Sequence, residues 1–194
     1  MNINYNTRIT DLIFSYYKKY GNKDYIGENV SQLQHAIQSG EVAKLNNSDT
    51  NMILAAFLHD IGHLIGFENE ETMGGYGVKD HETIGADFLG KLGFSKEITD
   101  PIRYHVMAKR YLISKDKSYS NKLSDASKQT FFYQGGILSD EEITEFEKKE
   151  YFNRIIQLRK IDDNAKNVKL KDNRYDYYYN LCLSKVRKND NQNI

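Results

Sequence analysis

The chain has 194 residues, and its 27 Lys plus Arg balance 27 Asp plus Glu, so the net charge is near zero. That length suits one domain with a full hydrophobic core, and the balance excludes a global basic field for nucleic acid or an anionic membrane, though not a local cationic pocket. The one cysteine, Cys182, excludes an internal disulfide; with no basic-then-apolar leader and no run near ~18 apolar residues, a soluble cytoplasmic protein is expected.

The elements read as helices from end to end. Ile9, Leu12, Ile13, Tyr16 and Tyr20 keep helical spacing, and Gly21 is a plausible stop. A second helix is predicted over 31–45 on Leu33, Ile37 and Val42, and a third over 50–63, whose central MILAAFL reads as fully buried. A fourth begins at Lys79 or Asp80 and carries Ile84, Phe88, Leu89 and Leu92. Ser95 caps a short turn, and Pro101 suits the first position of a helix running to about Arg110. Further helices fit 121–133, a charged stretch opened by the capping box Ser139-Asp-Glu-Glu142, then 153–166 and 172–188. No stretch alternates well enough for a strand. The fold class is all-α, with the whole of 1–194 as one domain, a catalytic core over about 24–165 and a C-terminal helix after it. Cys182 reads as a buried small hydrophobe. The tyrosine-rich 174–181 either packs on the core, which is favoured, or forms an interface.

Chemistry concentrates on histidine. His59-Asp60 ends the most apolar helix, and an unpaired carboxylate there is costly, so a metal ion is the simplest partner. His63 at i+4 from His59 falls on the same helical face, and Gly62 leaves room for close packing. His35, His81 and His105 lie on separate predicted helices, as in bundle metal sites. Imidazole with carboxylate suits Fe, Mn, Zn or Ni. A single helical histidine is more often packed or on the surface, and spacing does not separate one metal from two.

The same residues carry a family resemblance. H…HD…D, here His35, His59-Asp60 and Asp162, is the HD-domain pattern, and His59 to Gly62 reads HDIG. The segments DYIGE (24–28), QLQHAIQ (32–38), AAFLHDIGH (55–63), MGGYGVKDHE (73–82), GADFLGKLGFS (85–95), HVMAKRYL (105–112) and LSDASKQTFFYQGG (123–136) resemble the HD-domain mixed-valent di-iron phosphonate oxygenases. A more distant likeness is to myo-inositol oxygenase. The resemblance implies an HD-domain helical bundle. It implies O2-dependent cleavage of the C–P bond of an α-hydroxyphosphonate, such as 2-amino-1-hydroxyethylphosphonate to glycine and phosphate, at an Fe(II)/Fe(III) pair.

By position, the resemblance makes His35, His59 and Asp162 ligands of one iron, His81 and His105 ligands of the other, and Asp60 the bridge. Asp163 adjoins Asp162, and Asp162 is the one that lines up with the family's L/I-R-x-x-D. His63 would contact substrate. Lys109, at i+4 from His105, would meet the phosphonate as a point charge, and Ser127, Thr130 and Gln134 would add hydrogen bonds from one helical face. Tyr25 and Glu28 resemble a gating pair, the tyrosine at an iron position at rest and the glutamate on the substrate amine. Without the resemblance, Lys109 reads as a solvated cation, Ser127 and Thr130 as helix surface, and Tyr25 as a core aromatic. The implied partner is a small-molecule phosphonate, on a monomer or homodimer, with no nucleic acid and no membrane. The rival readings are a metal-dependent HD phosphohydrolase of a nucleotide or phosphomonoester, and a binding module that has lost catalysis.

Overall fold

The computed structural model describes residues 4–25, 27, 29–68, 70–165 and 174–186. They are helical, in the order α1 Tyr5–Tyr20, α2 Gln32–Leu45, α3 Thr50–Leu58, α4 Ile61–Ile65, α5 His81–Lys91, α6 Lys96–Lys115, α7 Asp125–Tyr133, α8 Asp140–Glu147, α9 Phe152–Ala165 and α10 Tyr175–Lys185. Extended pairing among the described residues is limited to the isolated bridges Asp24–Ser31 and Thr72–Val78. The all-α reading therefore holds.

The centre of the bundle is α3. Every residue from Met52 to Leu58 is buried, and α2, α6, α9 and α10 pack around it. A helix that is apolar all round has no solvent face to offer, so it takes the middle. Capping side chains set the neighbours: Ser31 opens α2 and Ser139 opens α8, each with a reciprocal capping box to Gln34 and Glu142. Asp49 caps α3 through the Met52 N–H and also takes both guanidinium nitrogens of Arg154 on α9, at 2.6 and 3.0 Å.

The tyrosine-rich segment packs on the core. Tyr178 of α10 is fully buried and stacks on Phe57 at 4.4 Å and 7° between planes. Its hydroxyl donates to Glu41 at 2.8 Å, and a Cβ on Gly40 would fall 2.4 Å from it. Cys182 is fully buried, as read.

Several sequence readings are corrected. The helix expected over 50–63 breaks at the His59-Asp60 pair, where Asp60 has φ −102° and ψ 11°. Side chains meet the carbonyls left at the break: the Tyr17 hydroxyl donates to Phe57 O at 3.0 Å and the His59 ring to Ala56 O at 2.8 Å. Pro101 is not a first position. It lies inside α6, which starts at Lys96. The backbone bond it forgoes is to the carbonyl of Glu97, an exposed residue that water can serve. The helix expected from 121 starts at Asp125, capped by Ser124, after a 3₁₀ turn over Lys117–Lys122. Leu12 is 41 % exposed rather than core. Residues 172, 173, 187 and 188 of the expected last helix lie outside the described residues.

Candidate metal centre

Four ring nitrogens and two carboxylates converge where α2, α3, α5, α6 and α9 meet. In the deep half, His35 Nε2 lies 3.4 Å from His59 Nε2 and 3.2 Å from Asp162 Oδ1. Asp60 Oδ2 lies 3.2 Å from His59 Nε2 and 3.6 Å from His35 Nε2. In the open half, His81 Nε2 lies 3.2 Å from His105 Nε2. Asp60 Oδ1 is 3.4 Å from the first and 3.6 Å from the second. Each oxygen of Asp60 thus faces one half, which is the disposition of a bridging carboxylate.

The donors fit metal ions. Bonds of about 2.1 Å put neighbouring ligand atoms about 3.0–3.4 Å apart in octahedral or tetrahedral sites, close to the spacings here. Asp60 Oδ2 and Asp162 Oδ1 are buried and accept no well-aligned hydrogen bond among the described residues. Carboxylate oxygens crowded by ring nitrogens without aligned N–H bonds are placed to share a cation. Three rings repeat one device: His59, His81 and His105 each give Nδ1 to the carbonyl three residues back, Ala56, Val78 and Ile102, at 2.8, 3.2 and 2.7 Å. A carbonyl only accepts, so Nδ1 carries the proton and Nε2 keeps its lone pair for a metal. The open half is a two-histidine, one-carboxylate set, the donor pattern of non-haem iron oxygenases.

His63 differs. The Val78 backbone N–H donates to its Nδ1 at 3.0 Å, so the neutral ring carries its proton on Nε2 and is a donor there, not a lone-pair ligand. Its ring stacks on His81 at 3.8 Å, and a Cβ on Gly77, at φ +97°, would fall 2.7 Å from Cε1. Burial and the neighbouring His81 hold its pKa well below the ordinary value. Burial also lowers His105, to about 3, helped by His81 and His59. Burial would lower His59 too, but the Asp60 and Asp162 carboxylates override it and raise its pKa to about 10.

Close packing places these donors. A Cβ on Gly62 would fall 1.9 Å from the His81 carbonyl oxygen, so α4 touches the start of α5 through bare backbone. Asp80, left-handed at φ 56°, turns the chain into α5 there.

A cavity of about 60 Å³ opens onto the centre. Asp60, His81, His105 and Asp162 reach its wall, as do Tyr25, His63, Lys109, Ser127, Thr130 and Gln134. His35 and His59 sit behind it, fully buried. Lys109 is 3 % exposed, and its ammonium donates to Thr130 Oγ1 at 2.9 Å and to Ser127 O at 3.3 Å. Gln134 Oε1 is buried with no hydrogen-bond partner among the described residues. Tyr25 stacks on His35 at 4.0 Å, and burial and the hydrogen-bonded Asp60 push its hydroxyl pKa well up. Glu28 lies outside the described residues. Asp163 turns away from the rings toward Tyr119 and Arg159, while Asp162 faces them.

Sequence reading missed Arg159, Gln32, Met73 and Tyr76, which also line the cavity. The glycine-rich MGGYG just before His81 was the available signal for Met73 and Tyr76. Arg159 is the arginine of the L/I-R-x-x-D stretch that picked out Asp162, and that pattern was its available signal.

Residues 33–128 match the HD domain family. The chain is 42 % identical over 180 residues to an uncharacterized protein of Acanthamoeba polyphaga mimivirus, covering 92 % of this chain and 82 % of that protein. It is 42 % identical over 161 residues to hydroxymethylphosphonate dioxygenase of Gimesia maris, covering 82 % and 78 %. It is 34 % identical over 184 residues to the glycine-betaine-forming [1-hydroxy-2-(trimethylamino)ethyl]phosphonate dioxygenase of Leisingera caerulea, covering 93 % and 91 %. With this donor set at its centre, the chain belongs to the HD-domain phosphonate dioxygenase family and is an oxygenase.

Proposed function

We propose that the protein uses O2 to cleave the C–P bond of an α-hydroxyphosphonate, with two iron ions in a mixed-valent Fe(II)/Fe(III) pair. The observation that carries this reading is the pairing of an open His81–His105–Asp60 set with the buried Lys109 ammonium in one small cavity. His35, His59 and Asp162 would hold the deep iron, His81 and His105 the open one, and Asp60 would bridge them. Bound iron would supply a Lewis acid that templates the substrate and a redox centre that relays the substrate's electrons to O2.

The side chains do the rest. Lys109 sets a positive charge where the phosphonate dianion would lie, and a desolvated ammonium is worth more there than in water. Ser127, Thr130 and Gln134 offer hydrogen bonds to the phosphonate oxygens from the same wall. His63 Nε2–H is a fixed donor whose ring cannot turn, because His81 and Gly77 clamp its faces. Tyr25 covers His35 and bonds Asp60, so it must yield if the substrate is to reach that carboxylate; Glu28 is assigned to the substrate amine. Closing the cavity excludes water from the reacting carbon.

The test is phosphate release by anaerobically purified, iron-loaded protein given O2. Hydroxymethylphosphonate, 2-amino-1-hydroxyethylphosphonate and its trimethylammonio analogue are compared side by side, which also ranks the substituents. No release from any of them, with no mixed-valent EPR signal, overturns the reading. Hydrolysis of a nucleotide or phosphomonoester without O2, supported by Mn or Co, would favour the hydrolase.

A further inference from the structure

Arg159 is a buried cation that the proposed reaction does not use. It lies on α9, 3 % exposed. Its Nη1 lies 2.8 Å from Asp162 Oδ2 as an ion pair, and its Nη2 donates to Asp163 Oδ1. The Tyr119 hydroxyl, from the 3₁₀ turn, donates to the other oxygen of Asp163. One guanidinium fork therefore spans two adjacent carboxylates, and its far end is tied down from another element.

That leaves Asp162 with one oxygen for the metal centre. Oδ2 is occupied by the guanidinium, while Oδ1 faces His35 Nε2 at 3.2 Å and His59 Nε2 at 3.6 Å. An unrestrained carboxylate can offer a metal one oxygen or two. A planar guanidinium fixes one face of it in a way that a point-like ammonium cannot. The charge also does not titrate away, and in a buried site it acts at low effective dielectric. A cation on the far side of a ligand carboxylate draws electron density from it and favours the less positive, reduced ion.

We propose that Arg159, braced by Asp163 and Tyr119, is the positioning residue of the deep half: it restricts Asp162 to ligation through Oδ1 and raises the reduction potential of the iron held there. This rests on the di-iron reading above.

The experiment compares iron-reconstituted wild type with Arg159→Met, Arg159→Lys and Tyr119→Phe. It reads iron per chain, an EPR-monitored redox titration, and kcat and KM for phosphate release. In Arg159→Met the potential falls, so that at a fixed poise the ferric-to-ferrous ratio rises on the order of tenfold or more. Iron affinity drops about 10–100-fold, as for other partners of metal ligands, and KM stays put. Arg159→Lys keeps the charge and most of the potential, but loses iron retention because it cannot span both carboxylates. Tyr119→Phe moves the potential the same way by less, and it decides the matter if Arg159→Met does not fold. An unmoved potential in the folded variants, or a raised KM with the potential unmoved, overturns the proposal and makes Arg159 scaffold or substrate contact. Wild type that holds no iron overturns the di-iron reading with it. Wild type that turns over while the variants match it overturns this inference alone.

Discussion

The two halves of the centre are built differently. The deep half draws His35, His59 and Asp162 from α2, the end of α3 and α9, elements packed in the main core. Its rings are fully buried, and its outer carboxylate is ion-paired with Arg159 at 2.8 Å. The open half draws His81 and His105 from α5 and α6 and faces the cavity. It is reached through a glycine-rich loop and a left-handed Asp80. Rigid packing suits a half that holds its ion, and a solvent-reachable half with fewer protein donors suits one that meets substrate. Asp60 belongs to both and joins them.

Breaking this comparison from the deep side has the largest expected effect. His59→Ala removes a ring that helps define one half and neighbours the bridge. It should abolish both iron binding and turnover, as measured by metal analysis and phosphate release. His63→Ala should do the opposite for iron. It keeps the metal content of wild type and loses roughly 10²–10⁴ in rate, the range for a positioned proton donor. If His63→Ala also empties the centre, His63 is a ligand and its hydrogen bond from Val78 has been misjudged.

Lys109→Met sharpens the open side. Iron content should stay, and kcat/KM for the phosphonate should fall about 10–150-fold, equivalent to about 1.5–3 kcal/mol for a charged hydrogen bond. Gly62→Ala then tests the backbone contact that brings the halves together. The added methyl meets the His81 carbonyl oxygen, so a stability loss of about 1–3 kcal/mol is expected in denaturant melts, along with weaker iron retention.

The titration of His59 offers a test by pH. The His59 pKa is raised from 6.5 to about 10 by the folded site. A raised pKa stabilises the folded state fully below the unfolded value and loses that stabilisation as pH climbs through the folded one. Metal-free protein should therefore lose melting temperature between about pH 6.5 and 10. Iron-loaded protein should not show that slope, since the metal takes the proton's place. Equal slopes with and without iron would detach His59 from the metal.

Much of this centre was legible in the sequence, for physical reasons. A His-Asp pair at the end of MILAAFL puts a charge against an apolar core, and such a charge needs a partner. Ser127, Thr130 and Gln134 keep helical spacing and share a wall in the fold. The break of the helix at Asp60 was not legible, because the Phe57 carbonyl there is met by the Tyr17 hydroxyl from forty positions upstream, a tertiary contact. The placement of Pro101 inside α6 was hidden because the exposed surroundings of Glu97 are a tertiary fact. Arg159 stood in the L/I-R-x-x-D stretch that located Asp162, but spacing gave it no role. Its role depends on which oxygen of Asp162 faces the rings, which only the packing of α9 against α2 decides.

In the proposed centre, two unlike halves would share one carboxylate, Asp60. The most direct measurement is EPR of the anaerobically iron-loaded protein, with the addition of α-hydroxyphosphonate followed in wild type and in Asp60→Asn. A coupled mixed-valent signal that changes on substrate addition is expected in wild type, and an uncoupled or missing one in the variant. A single uncoupled ferric signal in wild type, unmoved by substrate, would contradict it.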